Sequence, residues 1–108
     1  MFEISKADWK LFRARLPEWQ EKYMERLTKE YIELLSSSEP ASTRFWELEK
    51  RIKEDRRHPG VILEMRKSTA AWNIANLVAG DVITLEDLDG FSQDLKDSVK
   101  LMLKRYSR

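Results

Sequence analysis

Apolar residues recur along the chain at the helical period and are separated by short polar breaks, which predicts an all-α fold. Ser5, with Asp8 three positions on, makes a variant of the capping box, and Trp9, Phe12 and Leu16 follow as a stripe at i, i+3 and i+7. Pro17 is expected to reset the chain and open a second helix that runs to about Leu35. At about 100° per residue, Trp19, Tyr23, Met24, Leu27, Tyr31, Leu34 and Leu35 share one side of that helix, and glutamates, lysines and Arg26 fill the other. Ser36 to Glu39 is a polar linker. Pro40 is placed as the first residue of a third helix to about Arg57, with Ala41, Phe45, Leu48 and Ile52 as its stripe.

His58-Pro59-Gly60 breaks the pattern, and a fourth helical region is expected from Pro59 to about Ala79, with Gly80 in the left-handed position after its end. Ser68 and Thr69 offer a point of division within it. Between Ala70 and Val78 this region is apolar nearly all round, as in a central helix or one that meets another subunit. Asp81 to Ile83 reads as extended, Thr84 and Asp87 box a brief helix through Leu88, and Gly90 ends it. Ser92 then caps a last helix with Leu95, Val99, Met102, Leu103 and Tyr106 on its stripe. The expected fold is a compact bundle of four to five helices with short connections, filling residues 1–108 as one domain.

Composition narrows the functions. With 20 basic and 19 acidic residues the net charge is +1, so bulk charge points neither to a nucleic-acid coat nor to a DNA mimic. The absence of cysteine removes disulfide scaffolds, thiolate metal sites and cysteine nucleophiles. The opening residues have no basic segment followed by an apolar run, and no stretch is apolar and long enough for a bilayer, so a cytoplasmic protein with no membrane role is expected. His58 has no second histidine to share a metal, and its place before Pro59 suits a structural or solvent-facing role. The pairs Glu54-Asp55 and Glu86-Asp87 lack the apolar setting that acid–base chemistry needs, and nucleotide, phosphate and hydrolase motifs are missing, so no enzyme, cofactor or metal is expected. Residues 76–88 fit a calcium loop poorly, because Val78 and Gly80 fall on ligand positions. Residues 84–103 have a helix-turn-helix outline, but Asp94 and Asp97 at the reading end would repel phosphate, which favours a plain helical hairpin.

Charge is unevenly placed. Asp81, Glu86, Asp87, Asp89, Asp94 and Asp97 face only Lys96, a local net charge of −5, whereas residues 44–67 are rich in Lys and Arg. Both poles read first as solvated faces or as surfaces that meet within the fold, and otherwise as a bipolar surface for a partner. Trp46 lies off the Phe45-Leu48-Ile52 stripe, beside Lys50 and Lys53. It is expected to close the core margin, or else to anchor a partner together with Lys50, Lys53, Arg56 and Arg57. Trp72, Ile74, Leu77 and Val78 point around one helix, so one of its faces is a candidate for self-association as a homodimer.

The strings DWKLFRARLPEWQEKYMERLTKEYIELLSS, FWELEKRIKEDRRHPGV and GDVITLEDLDGFSQDLKDSV resemble a family of small uncharacterised bacterial proteins found in gut bacteria, often near mobile elements. Some members carry the label of multidrug transporters, which a chain without a membrane-spanning segment opposes. The resemblance brings no activity and implies a cytosolic accessory protein. The reading is therefore a non-catalytic protein-interaction or regulatory module. The alternatives are a mobile-element inhibitor of a host defence nuclease, of the anti-CRISPR kind, and a weak nucleic-acid binder acting through residues 44–67.

Overall fold

A computed structural model describes residues 2–106, without the side chain of Tyr106, which therefore lies outside the described part of the last stripe. Four α-helices are present among these residues: α1 (Lys6–Leu35), α2 (Ala41–Asp55), α3 (Ala70–Ala79) and α4 (Gln93–Tyr106). Short 3₁₀ turns, Lys67–Thr69 and Leu85–Leu88, precede α3 and α4. None of the described helices is long and apolar enough to cross a membrane.

The expected break at Pro17 does not occur, and α1 runs through it for 30 residues. Its buried positions, Asp8, Phe12, Leu16, Trp19, Tyr23 and Leu27, keep one helical register across the proline. Pro17 itself is exposed. The carbonyl of Arg13, four residues back, loses its usual donor on the wet side of the helix, where solvent can replace it.

The core gathers at the N-terminal half of α1. Phe12, Leu16 and Trp19 pack with Ala70, Ile74, Ala75 and Leu77 of α3 and with Leu88, Phe91, Leu95 and Val99. Trp19 sits between Phe12 and Phe91, with both ring-centroid distances at 6.3 Å. The mostly apolar α3 is thus the central helix. Ile74 and Leu77 are fully enclosed and cannot form a self-association face, while Val78 is half-buried and Trp72 lies on the exposed side.

Polar contacts fasten the ends. The Ser5 hydroxyl accepts from the Asp8 N–H, but the Asp8 carboxylate does not complete a capping box. It reaches instead to the start of α4, accepting from the Ser92 N–H at 2.9 Å and from the Ser92 hydroxyl at 2.5 Å. Arg15 of α1 donates to the carbonyls of Asp87 and Asp89, covering the end of the second 3₁₀ turn. Gly90 takes a φ of +93°, and an added Cβ there would lie 2.9 Å from the Arg15 guanidinium.

The region after α2 departs most from expectation. Residues 59–66 are not helical. Val61, Leu63 and Met65 are half-buried while Ile62, Glu64 and Arg66 are exposed, the alternation of an extended segment. Asn73, buried in α3, donates its side-chain amide to the Glu64 carbonyl at 3.0 Å and holds that segment in place. The left-handed residue after α3 is Asp81, with φ 60°, and Gly80 has an ordinary negative φ. Leu85–Leu88 is only a single turn boxed by Thr84 and Asp87, so a helix-turn-helix reader is not formed.

His58 shapes the turn between α2 and this segment. Its ring stacks on Tyr23 at 4.5 Å and 6°, and its Nδ1 accepts from the Gly60 N–H. Gln20 donates to the Pro59 carbonyl at 3.0 Å. An added Cβ on Gly60 would fall 2.3 Å from the Tyr23 ring. Gly60→Ala should therefore displace the stack and cost about 1–3 kcal/mol in chemical denaturation. A variant as stable as the parent would mean that this turn does not press on α1.

Candidate functional site

The most unusual surface lies on the hairpin formed by α2 and the C-terminal half of α1. Polar contacts set the rotation of α2. Arg44 donates to the carbonyls of Leu35 at 2.6 Å, an acceptor that the end of α1 leaves open, and of Glu39 in the linker at 2.9 Å. Two turns later Arg51 pairs with Glu30 at 2.9 Å and lies over the Tyr31 ring at 5.5 Å. The Tyr31 hydroxyl donates to Asp55 at 2.5 Å. Arg44, Leu48, Arg51 and Asp55 are spaced i, i+4, i+7 and i+11, so this mixed face is the one that meets α1.

The expected apolar stripe of α2 is consequently not a core stripe, and α2 has no buried residue. Leu48 is half-buried, but Phe45 is 61% exposed and Ile52 43% exposed. Trp46 is 62% exposed and packs edge-to-face on Phe45, with centroids 4.9 Å apart. The expectation that Trp46 closes the core margin is therefore overturned. The polar anchoring of α2 turns both rings into solvent.

Beside this face, between α1 and α2, runs a cleft of about 220 Å³ with almost wholly apolar walls. Met24, Leu27, Ile52 and Val61 supply the carbon surface, and Arg56 stands at its margin. Arg56 also lines a second, basic hollow with Lys50, Lys53 and Arg57, where Glu49 and Glu54 are interspersed. Lys53 is bound to Glu49 at 3.2 Å, whereas no described carboxylate lies within ion-pair distance of Lys50, Arg56 or Arg57. Lys50, Lys53, Arg56 and Arg57 are thus brought together around this hollow at the C-terminal end of α2, and Trp46 lies one turn before Lys50, outside its lining. The sequence pattern assigns Phe45 and Ile52 to a core stripe and gives no sign of the cleft, because only the position of α1 shows that they are uncovered.

Burial pushes the Tyr31 hydroxyl up to about 12, assisted by its hydrogen bond to Asp55 and that residue's charge. Tyr23 is raised in the same direction, first by burial and then by Asp55. Arg51 is raised mainly through its bond to Glu30. For Tyr31 the sign follows from linkage: the folded value lies above the ordinary 10.0, so its contribution is complete below pH 10 and is lost as pH rises toward 12. The stability advantage of the parent over Tyr31→Phe should shrink across that interval in paired thermal melts. A constant gap would show that the phenol does not hold its proton against Asp55.

The acidic residues do not form a comparable site. Asp87 accepts from the Thr84 N–H, Asp97 accepts from the Gln93 amide, and Asp94 stands in the first turn of α4, where a negative charge suits the helix dipole. Glu86 and Asp89 line an open depression together with Lys96 and Lys100, and Asp81 occupies the exposed left-handed turn. No ion pair joins this pole to residues 44–67 among the described residues. Among them also, no three His, Asp or Glu side chains gather as a metal site would require. Compared with protein-family models, curated proteins and solved structures, the chain matches none.

Proposed function

We propose that the chain is a non-catalytic protein-interaction module that engages its partner through the outer face of the α1–α2 hairpin. The supporting observation is the pair Phe45 and Trp46, two adjoining rings each about three-fifths exposed on a helix whose apolar side is turned from its own core. Neighbouring aromatic residues of this kind dominate binding energy once a partner excludes water from them. The test is affinity capture from nuclease-treated host lysate with the parent, Phe45→Ala and Trp46→Ala proteins in parallel. One protein should be recovered by the parent and lost by both variants while their melts stay unchanged. Equal recovery by all three would refute the assignment to this hairpin.

A further inference from the structure

Resting on that reading, we infer that the partner presents an acidic amphipathic helix, with one bulky apolar side chain entering the α1–α2 cleft and carboxylates meeting Arg56 and Arg57. Two rows run along the outer side of α2. Phe45, Ile52 and Arg56 are spaced i, i+7 and i+11, and Trp46, Lys50, Lys53 and Arg57 are spaced i, i+4, i+7 and i+11. Ile52 and Arg56 of the first row line the apolar cleft, and Lys50, Lys53 and Arg57 of the second line the basic hollow, which Arg56 also lines; Phe45 and Trp46 stand at the N-terminal end of the two rows, outside both linings. A ligand seated here meets carbon on one side and, on the other, a hollow in which cations outnumber carboxylates.

The charge selects the partner. Among the described residues no carboxylate lies within ion-pair distance of Lys50, Arg56 or Arg57, and the hollow holds four cations against two glutamates, of which Glu49 is paired with Lys53. A basic or neutral helix would leave these cations uncompensated at the contact, whereas an acidic one supplies charge-assisted hydrogen bonds. The backbone selects the conformation. The surface is built of two helices and offers no sheet edge, so an extended peptide would find no main-chain partners, while a helix satisfies its own. Single-stranded nucleic acid fits less well. The two rings stand at 87° to one another rather than as parallel stacking platforms, and the cleft walls carry almost no polar atoms for a base edge. The chain's own acidic segment is no substitute, because Leu88, Phe91 and Leu95 are already buried in the core.

The experiment is selection of a displayed random library of helix-length peptides on the intact chain at physiological salt. Enriched peptides should carry net negative charge around a bulky apolar residue and should lose about tenfold or more in affinity to Arg56→Glu. Enriched peptides that are neutral or basic, keep their affinity for Arg56→Glu and lose it to Phe45→Ala would overturn the acidic helix while leaving the hairpin reading intact. Failure to enrich any peptide over an unrelated protein, or binding that survives both Phe45→Ala and Trp46→Ala, would overturn both. Dimerisation abolished by Ile52→Asp, or oligothymidylate binding lost in Trp46→Ala, would assign the face to a second copy or to nucleic acid and overturn the proposal.

Discussion

Replacing Trp46 with alanine should leave the stability of the fold within about 0.5 kcal/mol of the parent, yet weaken partner binding by about 2–4 kcal/mol. Both halves follow from the same geometry. The indole is 62% exposed and touches the Phe45 ring, and the bonds that position α2 belong to Arg44, Arg51 and Tyr31 on another face. Its removal opens no cavity in the core. A bound partner would lose a large anchor and admit water beside Phe45. Differential scanning calorimetry on the free protein and titration calorimetry on the complex separate the two effects. A melt lowered by the equivalent of about 3 kcal/mol would place Trp46 among the residues that hold the fold together.

The opposite result is expected for another aromatic on α1. Phe12 has no exposed surface and packs beside Trp19 in the cluster that joins α1, α3 and α4. Phe12→Ala should cost about 3–5 kcal/mol through lost burial and the void left behind. That is a large share of the roughly 5–15 kcal/mol available to a small domain, so the variant should melt far lower or fail to fold at ambient temperature. Urea denaturation against the parent measures it. A loss below about 1 kcal/mol would mean that the α1–α3–α4 cluster is not the main core.

The helical architecture and much of the core are legible in the amino-acid pattern, because the stripes of α1 and α4 are spaced as buried faces must be. Continuity through Pro17 was legible too, since Phe12, Leu16, Trp19 and Tyr23 stay in phase across it. The general rule that proline ends a helix concealed this, and it yields here because Pro17 faces solvent. The alternation from Val61 to Arg66 likewise marks an extended segment inside what reads as a longer apolar region. The candidate site was legible only in part. Periodicity places Phe45, Leu48 and Ile52 on one side of α2 but does not say whether another helix lies there. That depends on Arg44 reaching the end of α1 and on Arg51 and Asp55 meeting Glu30 and Tyr31, contacts between distant positions that no local pattern encodes.

The four indole N–H resonances give the most direct test of where a partner docks, because Trp9, Trp19, Trp46 and Trp72 occupy different parts of the molecule. In a nitrogen–proton NMR titration with the captured partner, the Trp46 resonance should shift or broaden with saturation while that of Trp19, between Phe12 and Phe91, stays in place. An unmoved Trp46 resonance at full occupancy, with the response confined to Trp9 or Trp72, would contradict docking on the α1–α2 hairpin.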